Sequence, residues 1–225
     1  MIIAIDGPSG AGKSTLSRLL ARELGLLYVD TGSMYRAAAL AVIEAGANTN
    51  DVDAVMSVVS RIDIQLSGDP DSLQVRLDGR DVSDAIRTEQ VTHASSVISA
   101  IPEVRRDLVR RQRELGEQGG VVMNGRDTGT VIFPDADVKF FLTARPEERA
   151  RRRFDEERRR EQNLSYEETL ADINTRDRRD STRADSPLAI ADDAVVLDTT
   201  ELSVEGVFRR MLEVVREREA ERGGP

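Results

Sequence analysis

The chain has 225 residues, 39% hydrophobic and 32% charged, which suits a packed core and excludes a disordered polymer. A formal net charge of -9 argues against binding to DNA or RNA, which calls for a basic surface, although a site for one small anion can sit in an acidic protein. With no cysteine and a single histidine, His93, disulfides, thiolate metal sites and histidine-rich metal centres are excluded.

Ile2-Ile3-Ala4-Ile5-Asp6 is a short apolar run of the kind that forms a buried parallel strand. It is too short for a signal peptide, and no later run reaches transmembrane length, so a soluble cytoplasmic protein is expected. A glycine-rich turn follows, then Leu16, Leu19, Leu20 and Leu24 at helical spacing, with Gly25 as the stop. A second buried strand over 26–29 completes a βαβ start.

Helices are predicted over 34–45, ended by Gly46, and over 52–62, capped by Asp51. Apolar alternation at Ile62, Ile64 and Leu66, and again at Leu73, Val75 and Leu77, predicts a half-exposed antiparallel hairpin. We read 31–99 as a lobe inserted on the main sheet. Pro102 starts a helix to about Glu114, with Gly119-Gly120 ending the connection, and strands are predicted over 121–123, 138–142 and 194–197. Five apolar strands separated by helices imply a doubly wound parallel sheet. Between Arg145 and Arg183 lies a charged helix pair split near Asn163-Leu164-Ser165, with Ser165 and Glu168 at capping-box spacing. The final helix runs into Gly223-Gly224-Pro225, where fraying is expected.

Gly7-Pro8-Ser9-Gly10-Ala11-Gly12-Lys13-Ser14 fits the phosphate-binding P-loop pattern, with a strand before it and a helix after. Its backbone N–H groups and the helix N-terminus suit an anion. Lys13 reaches the β- and γ-phosphates, and the Ser14 hydroxyl suits Mg²⁺; Thr15 completes the ATP-binding set. Asp6, just before the loop, reads as a residue that hydrogen-bonds backbone rather than a catalytic one.

Ile5 to Lys13, Asp30-Thr31-Gly32-Ser33-Met34-Tyr35-Arg36, Ile86-Arg87-Thr88, the run from Asn124 through Gly125-Arg126-Asp127-Thr128-Gly129-Thr130 to Ala136, and Arg176 to Arg183 together resemble bacterial cytidylate kinase, a P-loop nucleoside monophosphate kinase. The resemblance spans nearly the whole chain. It implies a P-loop doubly wound five-stranded parallel sheet, an inserted acceptor-binding lobe with a β-hairpin, and a helical lid. The corresponding segments are 1–30, 100–150 and 184–225 for the core, 31–99 for the acceptor lobe and 151–183 for the lid. The loop ends Gly-Lys-Ser, where some family members carry glycine after the lysine, so Ser14 as metal ligand is a local inference.

Each stretch also makes chemical sense alone. Thr31, Tyr35 and Arg36 follow the second strand, where open α/β sheets place ligands, and suit an acceptor phosphate. The plain alternatives are helix packing for Tyr35 and a solvated charge for Arg36. Arg126 and Asp127 follow a buried strand, as a structural ion pair or a binding pair. The resemblance puts Arg126 on the acceptor phosphate and Ser96, Arg105 and Asp127 near the base. Cytosine offers an N4 amino donor beside the N3 acceptor, and uracil inverts that edge, so a carboxylate such as Asp127 would favour cytosine.

Arg176, Asp180 and Arg183 fall at i, i+4 and i+7, one helix face, with Arg179 beside them. Arg149, Arg152 and Arg153 make a similar face on the preceding helix. Taken singly, each is best read as a solvated charge. As a set they suit a lid over two anions, because phosphoryl transfer needs positive groups and exclusion of water. The resemblance assigns Arg176 and Arg183 to phosphate and Asp180 to the nucleoside. The expected reaction is ATP with CMP or dCMP, in a monomer with no nucleic-acid or membrane partner. Lys13, Arg126, Arg176 and Arg183 would carry the chemistry. A kinase for another small molecule and a nucleotide-dependent switch are the alternatives.

Overall fold

The computed structural model describes residues 1–117, 120–159 and 165–222. In chain order the first elements are β1 (Ile2–Asp6), α1 (Lys13–Leu24), β2 (Leu27–Asp30), α2 (Thr31–Glu44) and α3 (Val52–Val59). Then come β3 (Ile64–Ser67), β4 (Gln74–Leu77), β5 (Arg80–Asp81), α4 (Glu89–Ile98) and α5 (Pro102–Glu117). The chain closes with β6 (Val121–Asn124), β7 (Val138–Thr143), α6 (Pro146–Arg159), α7 (Tyr166–Thr182), β8 (Val195–Asp198) and α8 (Val204–Arg222).

Five strands form the predicted parallel sheet, in the order β2-β6-β1-β7-β8. Ile3, Ala4 and Ile5 of β1 and Val121, Val122 and Met123 of β6 are fully covered, as strands with helices on both faces must be. One face packs against α1 and α8 through Phe140, Leu20 and Met211. A separate core joins α2, α3, α4, α5 and the small β3-β4-β5 sheet, built on Met34, Ile86, Ile98 and Leu108. Each such large side chain contributes about 1.5–3 kcal/mol when taken from water.

Several boundaries differ from the sequence reading. Helix α2 begins at Thr31, three residues early, because the Asp30 side chain accepts from the Gly32 N–H at 3.1 Å and caps it. Helix α3 is shorter than expected, ending at Val59, although Asp51 caps it as predicted. The hairpin has a third short strand, β5, paired antiparallel to β4. The Ser165–Glu168 capping box is present in full. Asn163, Leu164, Gly119 and the stretch 223–225 lie outside the described residues.

The register places the site. Ile5 pairs with Asn124, Asn124 with Asp30 and Ile5 with Phe140, so the carboxyl ends of β1, β6 and β2 lie in one row, with β7 alongside running on to Thr143. The P-loop, the Arg126 turn and the start of α2 therefore leave the same edge of the sheet. Gly7 has φ +143°, and a Cβ there would sit 2.0 Å from the Leu142 carbonyl oxygen. Gly7→Ala must part β1 from β7, and we expect a loss of roughly 3 kcal/mol, or about 6–12 °C in Tm for a chain this size. A thermal melt within 2 °C of wild type would show that the strands yield freely (about 0.5–1 kcal/mol by the same scale).

Candidate active site

The P-loop crosses from β1 to α1. Gly10 and Gly12 hold φ of +77° and +91°, and a Cβ on Gly10 would lie 2.8 Å from the Arg149 carbonyl oxygen. Pro8, Ser9 and Ala11 are buried between these turns, whereas Ser14 and Thr15 face outward at the start of α1. Lys13 is buried, and its Nζ donates to the Pro8 carbonyl at 2.6 Å. Burial, and then the nearby charges of Arg126 and Arg176, hold its pKa well below the usual lysine value.

Asp6 accepts from the N–H groups of Thr128 and Gly129 at 2.9 and 2.7 Å. It thus ties the turn after β6 to the strand that carries the P-loop, the backbone role read from the sequence. Burial pushes its pKa up, against the opposing pull of these two bonds.

Around Arg126 and Asp127 cations and carboxylates alternate. Arg126 Nε donates to Asp180 Oδ2 at 2.8 Å. Arg183 approaches the other Asp180 oxygen at 3.5 Å and Asp127 Oδ1 at 3.9 Å. Arg105 pairs with Asp127, both of them buried, and also donates to the Ser99 carbonyl at 3.1 Å. The Arg105 guanidinium lies 5.5 Å from the centre of the Tyr35 ring, whose buried hydroxyl finds no partner among the described residues. Burial raises the Tyr35 pKa above the usual tyrosine value. Burial chiefly, then Arg126, draws the Arg176 pKa down to about 10, while Asp180 pulls the other way.

Thr31 donates its hydroxyl to the Asn124 carbonyl at 2.9 Å, and Arg36 donates to Asp30 at 3.1 Å and Ser33 at 2.8 Å. Burial works to raise the Asp30 pKa, yet Arg36, Ser33 and the Gly32 N–H together hold it below the usual carboxylate range. Ser96, on α4, accepts a hydrogen bond from Arg179 of α7.

One expectation is corrected. Arg183 does not continue the helix face of Arg176 and Asp180: α7 ends at Thr182 and Arg183 is extended, with ψ 144°. Its Nε donates to the Ser186 carbonyl at 2.6 Å, so the side chain comes back to the site from outside the helix. The preceding arginines also differ from a solvated face. Arg149 is buried, donating to the carbonyls of Ala144 and Ser9 at 2.8 and 3.2 Å and pairing with Asp177 at 2.7 Å. Arg152 binds the Thr199 hydroxyl and carbonyl. Sequence reasoning passed over Asp30, Asp177 and the Arg179–Ser96 contact. Only Asp30 carried a local signal, since an Asp shortly before an apolar helical period is a helix N-cap candidate.

Lys13, Arg126 and Arg176 are thus gathered at one place, beside an arginine–carboxylate ladder and against the P-loop. A family model described as cytidylate kinase matches residues 3–217. The chain belongs to the cytidylate kinase family. A cytidylate kinase from Solibacter usitatus is 49% identical over 220 residues, 97% of this chain and 93% of its own. One from Caldanaerobacter subterraneus subsp. tengcongensis is 49% identical over 214 residues, 95% of this chain and 94% of its own. Beyond the cytidylate kinase family, the shikimate kinase of Bacteroides thetaiotaomicron shares the fold, with a TM-score of 0.50 at 15% identity over 96% of this chain and 98% of its own.

The donor set bears on the metal that accompanies ATP. Among the described residues no three His, Cys, Asp or Glu gather as a metal cage. Ser14 is exposed at the start of α1, and its hydroxyl, within reach of Tyr28, would offer a single oxygen, which fits Mg²⁺ held mainly by phosphates and water.

Proposed function

We propose that this chain transfers the γ-phosphoryl group of ATP to CMP or dCMP, giving ADP with CDP or dCDP. The observation that carries this reading is the gathering of Lys13, Arg126 and Arg176 beside the buried Arg105–Asp127 pair. The cations suit a polyphosphate, and the pair suits the polar edge of a base.

Gly7 to Thr15 cradle the ATP phosphates, with Lys13 on the β- and γ-phosphates. Arg36, Thr31 and Arg126 hold the acceptor phosphate; Ser96, Arg105, Asp127, Asp180 and Tyr35 hold the nucleoside. Ser14 would help hold Mg²⁺, which when bound would supply charge neutralisation to the phosphates. An oxygen of the acceptor phosphate attacks the γ-phosphorus in line, and the bond to the β–γ bridging oxygen breaks to release ADP. The acceptor is already anionic, so no general base is needed, and catalysis is positioning plus charge neutralisation by Lys13, Arg126, Arg176 and Arg183. Residues 31–99 act as the acceptor lobe and 151–183 as the lid that excludes water. The protein is read as a cytoplasmic monomer; separately, no described helix is long and apolar enough to cross a membrane.

Uracil would set its C4 carbonyl against the Asp127 carboxylate, and unpaired buried groups cost roughly 1–3 kcal/mol each. A coupled ADP-release assay with Mg²⁺-ATP and CMP, dCMP, UMP, TMP or AMP in turn tests the reading. Strong turnover with CMP and dCMP, weaker by about tenfold or more with UMP, and almost none without acceptor is expected. ADP release indifferent to the acceptor would instead make this a nucleotide-hydrolysing switch.

Lys13 also predicts a proton linkage. Its depressed pKa should rise when a polyphosphate comes into contact, so ATP binding should take up a proton at alkaline pH below 10.5. Calorimetry in two buffers of different ionisation enthalpy reads that uptake. Identical heats in both would remove Lys13 from the phosphates.

A further inference from the structure

Helix α4 carries Ser95, Ser96 and, just past its end, Ser99. Two of the three turn their hydroxyls back to the chain: Ser95 Oγ donates to the Thr92 carbonyl at 2.9 Å, and Ser99 Oγ to the Ser96 carbonyl at 3.1 Å. Ser96 behaves differently. Its hydroxyl oxygen meets Arg179 Nη1, which comes from α7, 83 residues further along the chain.

A guanidinium only donates, so Ser96 must be the acceptor in this contact. A serine hydroxyl has one proton and two lone pairs. With a lone pair engaged by a cation, the hydroxyl is polarised and its proton is left for another acceptor. The surroundings make this contact more than a surface pairing. Arg105 holds the Ser99 carbonyl at the end of the same helix and also holds Asp127. On α7, the residue next to Arg179 is Asp180, bound to Arg126 at 2.8 Å. Adjacent residues of α7 thus grip the two sides of the site.

We propose that Arg179 is a positioning residue for the acceptor nucleoside. By donating to Ser96 it fixes that hydroxyl as a hydrogen-bond donor, so Ser96 meets an acceptor atom of the nucleoside, such as a ring or carbonyl oxygen or the unprotonated ring nitrogen. The amino group of cytosine is then left to Asp127. The same contact makes closure of α7 sensitive to whether α4 is in place. This inference rests on the proposed CMP kinase reading for its substrate, and on the contact alone for its mechanics.

The test has a kinetic arm and a ligand-free arm. Arg179→Ala should raise KM for CMP about tenfold while KM for ATP stays within about twofold. Arg179→Lys, which keeps a charged donor, should recover part of the loss. On a Ser96→Ala background, Arg179→Ala should add less than about twofold, because the two residues act through one contact. Equal rises in both KM values, or effects that multiply in the double variant, would overturn the proposal. In the unliganded protein, hydrogen exchange should quicken in α7 for Ser96→Ala as well as for Arg179→Ala. Unchanged exchange in both would overturn the contact itself. If wild type ignores CMP while exchange in α7 responds to both variants, the functional reading falls and the α4–α7 contact stands.

Discussion

Replacing Lys13 by methionine is expected to abolish phosphoryl transfer, by about 10³-fold or more in kcat, while raising the melting temperature of the unliganded protein. The two effects have one cause. Lys13 is buried; its protonated form is disfavoured by burial before any other influence and then by Arg126 and Arg176, against a smaller opposing pull from Asp6 and Asp30. With ATP bound, that same charge faces the phosphates and stabilises the charge moving through the transition state. Without ATP it is a cost to folding. Methionine keeps the apolar stem and removes the charge, so Tm should rise by about 2–4 °C, the equivalent of about 1 kcal/mol in a chain this long.

The pH dependence fixes the sign. The folded pKa lies below the unfolded value of 10.5, so between the two the unfolded chain binds the extra proton. Stability therefore rises with pH across that window, and the penalty is fully present below the folded pKa. The Tm difference between variant and wild type should accordingly shrink as pH approaches 10.5. Turnover within tenfold of wild type would remove Lys13 from the reaction. A lower Tm for the variant at neutral pH would mean that the Pro8 hydrogen bond outweighs the charge.

Arg126→Ala is the second large effect. Arg126 stands between Lys13, Arg176 and Asp180, and donates to Asp180 at 2.8 Å. A single charge-assisted contact to phosphate is worth about 1.5–3 kcal/mol, so kcat/KM for CMP should fall roughly ten- to a hundred-fold. ATP affinity should change by less than about threefold, since the P-loop backbone and Lys13 remain. The fold should survive. Asp180 loses one partner but keeps Arg183 at 3.5 Å and Arg176 close by, so no buried carboxylate is stranded. Titration with CMP and with ATP, monitored separately, decides the matter. Equal losses for both ligands would make Arg126 a general support of the site and take it off the acceptor phosphate.

Much of the fold was legible because its signals are local. Ile2 to Asp6, the loop from Gly7 to Gly12 and the apolar period after it give strand, loop and helix in one continuous stretch, and α1 starts at Lys13 and stops before Gly25 as read. Asp51 and the Ser165–Glu168 box act within three residues, and both hold. The early start of α2 was also local, but the apolar period from Met34 onward concealed the cap at Asp30. Strand β5 was missed because two residues, Arg80 and Asp81, have no period to display.

The phosphate-binding loop, the parallel α/β class and the two charged helices can each be read from the residue types of a short segment. Which carboxylate each arginine meets is set by the packing of distant segments. Arg126 finds Asp180 54 positions away, Arg105 finds Asp127 after 22, and Asp6 reaches Thr128 after 122. An arginine side chain is long, always charged and donor-only, so it fits many partners equally well on paper. The choice among them falls to the order of the strands and to where each helix ends. Arg183 shows this most plainly, since its place in the site depends on α7 ending one residue before it and on the Ser186 carbonyl that then receives its Nε.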